Sequence, residues 1–305
     1  MNTLIIENRH FSKKSINLLS QIGDVYFEKY SKKKNIKINI LYVRFRFYIN
    51  KKIIDTFPNL KFIVSPTTGL DHIDLNYCKK KKIKIYYLGN IKNKIANIFA
   101  TADLTFALIL DLLRNINYSA KNFLRKNYYN RYDFITSDIR SRKIGIIGYG
   151  RIGRQINKYA KIFNIKTIVC DKYNRKINYK EKLNYLIKNS DLISICASSL
   201  GEPKIIDVEQ IKMMKKGAMI VNTSRHSLVN ERAIASAIKS KKLGGYATDV
   251  LSNERDFRKI KSSHLVKLSK KGYNVIITPH IGGCTFESMN KAEDLITEYL
   301  VNNIY

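Results

Sequence analysis

Residues 143–163, "KIGIIGYGRIGRQINKYAKIF", constrain the fold more than any other stretch of the chain. Ile144 to Ile147 form a short apolar run of strand character, and glycines follow at 148, 150 and 153. Beyond the first two glycines, Ile152, Ile156, Ala160 and Phe163 recur at the spacing that lines one face of a helix. A strand that runs through glycines so spaced into a helix is a phosphate-binding turn; the flanking elements supply the context that the bare glycine pattern lacks. Gly148 permits the tight turn, and Gly150 lets the backbone approach a pyrophosphate. Gly153 allows the helix to pack closely on the strand, with the anion at the helix N-terminus. Eighteen residues beyond Gly153 a second apolar run, "TIVC", ends at Asp171. A carboxylate there accepts hydrogen bonds from the adenosine ribose hydroxyls and repels a 2′-phosphate. The pattern favours NAD over NADP, with Lys172 and Arg175 nearby acting in the opposite sense.

The same alternation of short β-rich runs and helical stretches extends in both directions. "TLIIEN", "INILYVR", "KFIVS" and "IKIYY" occupy the first 90 or so residues, and polar segments of helical spacing separate them. "KTIVCD", "DLISICA", "AMIVNTS", "GGYATDV" and "NVIITPH" continue the series after the glycine turn, with "VEQIKMM" and "NERAIASAIKS" as helices between. Such alternation predicts parallel sheets with crossover helices. "IFATADLTFALILDLLRNI" reads as a strongly apolar helix buried on several sides, which fits a segment joining two domains; "ESMNKAEDLITEYLVNNI" reads as one amphipathic helix. The stretch from Tyr118 to Arg142 is polar and carries no clear period.

Composition excludes several classes. Hydrophobic residues make up 45% of the 305, enough for two globular cores. No apolar stretch reaches the ~18 residues of a membrane span. "MNTLIIENRHF" reads as a first strand, without the apolar centre or cleavage site of a signal peptide, so a cytoplasmic protein is expected. Cys78, Cys170, Cys196 and Cys284 lie far apart and show no C-x-x-C pair, which suits reduced thiols. The five histidines show no ligand spacing, and no metal is expected. The net charge of +32 has two readings. One is phosphate neutralisation on a nucleic acid. The other, favoured here, is a composition biased towards Lys, Ile, Asn and Tyr, because the basic residues spread along the whole chain in runs such as "KNIKINI", "CKKKKIKIYY" and "LVKLSKKGYN".

Taken together, "TTGLDHIDL", "NIFATADLTFALIL", "GIIGYGRIG", "VNTSRHSLVNERAIASAIKSKKLGGYATDV" and "ITPHIGG" resemble, in order and over nearly the whole chain, the NAD-dependent D-isomer-specific 2-hydroxyacid dehydrogenase family. That group includes D-3-phosphoglycerate dehydrogenase. The resemblance implies an α/β chain of two Rossmann-like, doubly wound parallel-sheet domains with the active site in the interdomain cleft. Residues 1–97 plus 286–305 would form the substrate domain and 98–285 the NAD-binding domain. The chain ends soon after "TPHIGG", so no C-terminal regulatory domain is expected. A homodimer is expected from the resemblance alone.

The family's catalytic arginine, glutamate and histidine map onto Arg225, Glu254 and His280. The chemistry needs these types. A guanidinium fork matches the carboxylate and the polarised ketone of a 2-oxo acid in one plane. A histidine can deliver a proton to the carbonyl oxygen near neutral pH, and an adjacent carboxylate orients it and favours its protonated form. By the same mapping Gly148, Gly150, Arg151, Ile152 and Gly153 would approach the pyrophosphate, and Asp171 the ribose. Thr223, Ser224, Asp249, Gly282 and Gly283 would complete the cofactor site. Thr68, Gly69 and Leu70 would offer backbone N–H groups to the carboxylate of a small anionic 2-hydroxy or 2-oxo acid. Arg44 either reaches a phosphoglycerate-like substrate or is a solvated strand-end charge.

The sequence also departs from the family pattern. His226 stands where glycine usually follows the catalytic arginine, and a requirement for φ > 0 there would make His costly. Cys196 followed by "ASS" replaces a histidine and a proline-containing turn, Arg255 replaces a proline, and Asp103 a glutamate. Two alternatives to a dehydrogenase therefore stay open: an NAD-sensing corepressor of the same fold, and an inactive descendant.

Overall fold

The computed structural model describes residues 1–27, 37–123, 130–173, 178–198 and 204–304. Arg175 and Ser199 lie outside these residues. The chain divides into two compact units, Met1–Ile98 with Gly283–Tyr305, and Phe99–Gly282.

In the first unit β1 (Asn2–Ile5), β2 (Val25–Phe27), β3 (Ile38–Tyr42), β4 (Phe62–Ser65) and β5 (Lys84–Tyr87) form an all-parallel sheet in the order β2-β1-β3-β4-β5. Successive side chains of a strand point to opposite faces, and here both faces are apolar. Ile5, Ile40, Tyr42 and Val64 enter one core, beneath α1 (Lys13–Ser20) and the last helix, α12 (Phe286–Val301). Leu4, Leu41 and Ile63 enter the other, beneath α2 (Lys51–Ile54) and α3 (Leu75–Lys80). A sheet buried on both sides explains why its strands read as continuous apolar runs.

The second unit opens with α4 (Ala100–Arg114) and α5 (Ile116–Phe123). Six strands follow: β6 (Lys143–Ile147), β7 (Lys166–Cys170), β8 (Leu192–Ile195), β9 (Ala218–Asn222), β10 (Leu243–Thr248) and β11 (Val275–Ile277). The intervening helices are α6 (Arg151–Ile162), α7 (Tyr179–Asn189), α8 (Val208–Met213), α9 (Glu231–Lys239), α10 (Phe257–Ser262) and α11 (His264–Lys270). The strands are parallel in the order β11-β10-β9-β8-β6-β7. Ile144, Ile146, Val221 and Ala247 pack under α4 and α6, while Ile193, Ile195, Ile220 and Tyr246 pack under α7, α8, α9 and α11. The order reverses between β6 and β8, so a crevice for a ligand opens at the carboxyl ends of these two strands. The apolar helix of the sequence is α4, whose Ala102, Phe106, Ile109, Leu112 and Leu113 are buried in this unit's own core. None of the described helices is long and apolar enough to cross a membrane.

Arg44, just past β3, is neither solvated nor free. Its Nε donates to Glu293 Oε1 at 2.8 Å, its Nη1 to the Arg9 carbonyl at 2.7 Å, and its Nη2 to Glu293 and the His10 carbonyl. Glu293 lies on α12 and its side chain is 1% exposed; its second oxygen accepts from the Ser12 N–H at 2.8 Å. Burial pushes the Glu293 carboxyl up, and Arg44 and the Ser12 N–H pull against that. Asp294 accepts from the hydroxyls of Ser12 and Ser15, so α12 is fixed to the start of α1 by a polar seam over the apolar core. Removing one member of such a pair leaves a buried charge without its partner. Arg44→Ala is expected to lower the unfolding free energy by about 3 kcal/mol. Arg44→Ala with Glu293→Ala is expected to cost less than the sum of the single changes, read by denaturant titration of the four proteins.

Candidate active site

The glycine turn joins β6 to α6. Gly148, at φ +92°, sits in backbone space that L side chains rarely adopt, and a Cβ on Gly153 would lie 2.0 Å from the Gly148 carbonyl oxygen. A Cβ on Gly150 would meet nothing within 4 Å. Packing therefore demands the first and third glycines and leaves the second position open, as a backbone that a ligand must approach would require. Gly150 is the N-cap of α6 without a side-chain cap, and no acidic residue stands in the first turn. The first N–H groups of a twelve-residue helix are thus left for an anion. Arg151, whose guanidinium burial holds below its ordinary pKa, opens that turn. The Ile152 side chain packs against the core under α6.

Asp171 lies just past β7, beside the turn. Its Oδ2 accepts from the Tyr149 N–H at 2.5 Å and its Oδ1 from the Tyr173 N–H at 2.8 Å. Each oxygen keeps a lone pair for further donors. The Tyr149 hydroxyl accepts from Asn157 Nδ2 at 2.8 Å, and Asn157 Oδ1 accepts from Thr167 at 2.7 Å. This clamp between the turn, α6 and β7 was not read in the sequence, where Asn157 is only a polar position on an amphipathic helix. These groups fit a dinucleotide: an open backbone, a helix N-terminus, a half-buried cation and a carboxylate beside the turn.

The carboxyl ends of β9, β10 and β11 carry a second cluster. At the end of β9, Asn222 is fully buried; its Nδ2 donates to the Arg225 carbonyl at 2.9 Å and its Oδ1 accepts from the Ser224 N–H at 3.0 Å. Thr223 Oγ1 lies 2.7 Å from Thr105 Oγ1 of α4, and the Ser224 hydroxyl donates to the Ile195 carbonyl at 2.8 Å. Arg225 follows on this fixed turn, its Nη1 donating to the Ser224 carbonyl at 2.7 Å. Asn222 is the residue that sequence reasoning missed here. Its only signal was an amide at the last position of an apolar strand. His226 opens a single 3-10 turn, His226–Leu228, and its φ is not positive, so a side chain in place of glycine costs no backbone strain.

Glu254 and His280 meet: His280 Nδ1 and Glu254 Oε1 are 2.9 Å apart. Burial pushes the Glu254 carboxyl up, but the hydrogen bond and charge of His280, the Leu251 N–H and the charge of Arg255 outweigh it, and the group ends below its usual range. It is ionised at neutral pH. His280 has φ +55°, a left-handed conformation rare for a residue with a side chain. Asp249, buried past β10, shows what holds it. Its Oδ1 accepts from the Thr278 hydroxyl at 2.6 Å and the Ile281 N–H at 2.8 Å, and its Oδ2 from the Gly282 N–H at 2.7 Å. Gly282 leaves room for this, since a Cβ there would stand 2.9 Å from Asp249 Oδ2; a Cβ on Gly283 would meet nothing within 4 Å.

Of the departures, Asp103 accepts from the Tyr159 hydroxyl, linking α4 to α6. Cys196 Sγ lies 3.5 Å from the Ser194 hydroxyl, and burial pushes its thiol up to about 11, so it is a neutral, inert group.

In the first unit the loop after β4 is held by side chains. Ser65 Oγ lies 2.9 Å from Thr67 Oγ1 and 3.0 Å from His72 Nε2, and Thr67 donates to the Gly69 carbonyl at 2.7 Å. Among the described residues no acceptor takes the N–H groups of Thr68, Gly69 or Leu70. His72 and Ser65, both fully buried, shape this loop and were not singled out in the sequence.

The family profile "D-isomer specific 2-hydroxyacid dehydrogenase, NAD binding domain" matches residues 106–282, more than half of the chain. The chain belongs to the D-isomer specific 2-hydroxyacid dehydrogenase family. A protein of Staphylococcus haemolyticus named "Putative 2-hydroxyacid dehydrogenase" is 31% identical over 264 residues, covering 84% of this chain and 78% of its own. A protein of the same name from Staphylococcus aureus is 32% identical over 266 residues, covering 83% and 78%. The solved D-lactate dehydrogenase of Aquifex aeolicus, in complex with NAD and lactic acid, superposes with a TM-score of 0.81 at 25% identity, covering 100% of this chain and 95% of that one. As a member of the family the chain is an NAD-dependent oxidoreductase of the CH–OH group of D-2-hydroxy acids, and its second unit carries the NAD-binding domain.

The glycines separate folding from cofactor binding. Gly153→Ala is expected to lower the unfolding free energy by about 2 kcal/mol or more, since the clash is with backbone. Gly150→Ala is expected to leave the melting temperature in place and to weaken NADH binding at least tenfold, read by fluorescence titration. Equal NADH affinity in Gly150→Ala and the unaltered protein would remove the turn from the cofactor site.

Proposed function

We propose that the protein reduces a small 2-oxo acid to the D-2-hydroxy acid with Arg225, His280 and Glu254 as the reacting set. The observation that carries this reading is the 2.9 Å pair of His280 and Glu254, held by a backbone that is strained at the histidine itself. NAD(H) supplies or accepts the hydride when bound. Gly148, Gly150, Arg151 and the N–H groups of the α6 first turn would hold its pyrophosphate, Asp171 its ribose, and Thr223, Ser224 and the Asp249–Gly282 corner its reacting end. The Arg225 guanidinium would fork onto the carboxylate and carbonyl oxygen of the acid. His280 gives the carbonyl oxygen its proton in reduction and takes it back in oxidation. Glu254, ionised through neutral pH, fixes the ring by accepting from Nδ1, so that Nε2 is left to face the substrate oxygen.

The substrate we infer is unphosphorylated. A phosphoglycerate-like substrate would call on Arg44, and that guanidinium already serves Glu293 and two carbonyls. NADH oxidation with glyoxylate, hydroxypyruvate and phosphohydroxypyruvate tests this: the highest kcat/KM with the phosphorylated acid would overturn it. Arg225→Lys keeps the charge and loses the fork, and is expected to lower kcat/KM at least tenfold, about 1.4 kcal/mol. His280→Ala is expected to abolish turnover while NADH still binds. Turnover that survives His280→Ala and is lost in His226→Ala would transfer the proton to His226.

The protein is, on the same reading, a homodimer through the second unit. None of the residues of α5 is buried; Ile116, Phe123, Tyr132 and Ile135 are exposed, and Phe123 lines a cavity of about 320 Å³ with Ser119, Ala120, Asn130, Arg131 and Phe134. Apolar surface gathered in this way marks an interface. Sedimentation at the mass of a single chain, 35.4 kDa, would exclude the dimer.

A further inference from the structure

We propose that Glu231 is a positioning residue for the acid–base pair: it holds the loop that presents Glu254 to His280. Glu231 is the first residue of α9, a helix fixed in the core by Ile234, Ala235, Ala237 and Ile238. Its two carboxylate oxygens grip one residue of the segment between β10 and α10. Ser252 N–H donates to Oε1 at 2.9 Å and Ser252 Oγ to Oε2 at 2.7 Å. Glu254 stands two positions further on, and its Oε2 accepts from the Leu251 N–H at 3.4 Å while Oε1 meets His280. The start of α9 is itself set: Asn230 accepts from the Ala233 N–H at 3.1 Å and donates to Asp207 at 2.7 Å.

Each half of the pair thus has its own carboxylate clamp. Asp249 grips the His280 side through Thr278, Ile281 and Gly282, and Glu231 grips the Glu254 side through Ser252. Charged hydrogen bonds of this bidentate kind fix a loop in position and angle, and catalytic partners displaced by less than about 1 Å lose up to a hundredfold in rate. The groups whose charge acts on Glu254 are His280 and Arg255, and the titratable neighbour of Glu231 in the core is Tyr246, fully buried. None of these replaces the grip on Ser252. The clamp would leave cofactor binding untouched, because it bears on the Glu254 loop and not on the glycine turn.

This inference rests on the acid–base reading of Glu254 and His280, and one experiment separates the two. Steady-state reduction of the best 2-oxo acid is measured against pH for the full-length protein and for Glu231→Ala, Glu231→Gln, Ser252→Ala and Glu254→Gln, with NADH binding followed by fluorescence. Glu231→Ala is expected to lower kcat about tenfold. It should also displace the alkaline limb of kcat/KM to lower pH, in the direction expected of Glu254→Gln, with NADH affinity unchanged. Glu231→Gln should restore both to within about twofold, because an amide still accepts the Ser252 N–H and donates to its hydroxyl. Ser252→Ala, which loses only the hydroxyl bond, should shift the limb in the same direction by less and keeps the test open if Glu231→Ala does not fold. A lowered rate with an unmoved pH profile, or a loss that Glu231→Gln does not repair, would make Glu231 a structural residue only and overturn the proposal. An unchanged profile in Glu254→Gln itself would overturn the acid–base reading, and the proposal with it.

Discussion

The buried carboxylate of Asp249 is the contact on which the second unit's site depends. It is 2% exposed and receives three donors from the segment after β11, one hydroxyl and two backbone N–H groups. Burying a carboxylate is costly, and hydrogen bonds of this charge-assisted kind offset the cost. They do so only if the chain after Thr278 turns back on itself, which puts His280 in the left-handed region. The strain at His280 is therefore the consequence of satisfying Asp249, and it aims the imidazole at Glu254. Gly282 belongs to the same arrangement, because a side chain there would meet the Asp249 carboxylate.

Parallel strands gather the chemistry. The glycine turn follows β6, Asp171 follows β7, Arg225 follows β9, Asp249 follows β10 and His280 follows β11. All these strands point the same way, so their carboxyl ends share one edge of the sheet, and loops that leave a rigid sheet can be held by a few side-chain bonds. Asn222, Asp249 and Glu231 are such bonds: none need touch substrate, and each fixes a turn that carries one of the three residues proposed to react. In the first unit the loop after β4 is held by Ser65, Thr67 and His72, and among the described residues no acceptor takes the N–H groups of Thr68, Gly69 or Leu70.

Arg44 shows where a local reading fails. In the sequence it is a cation at the end of an apolar strand, and nothing within ten residues distinguishes a substrate ligand from a surface charge. Its partner, Glu293, lies 249 residues away on the last helix. A helix packed on a sheet edge buries whatever its inner face carries, and a buried glutamate there needs a cation and an N–H to be tolerable. The tertiary fold alone brings the three together.

The sequence by itself determined most of the strands and their parallel direction, because side-chain period is a local property that survives in any context; β2 escaped it, being three residues long with none of them buried. It determined the glycine turn for the same reason: the close approach of Gly153 to Gly148 and the positive φ of Gly148 are set within six residues. Through its resemblance it also placed Arg225, Glu254 and His280. What it could not decide was how those residues are held. The partners of Arg44, Asp249, Asn222 and Glu231, the negative φ that makes His226 harmless, and the left-handed turn at His280 all depend on groups brought together from distant parts of the chain. Hydrogen-bond partners are chosen by distance and burial, and those exist only once the sheets have formed.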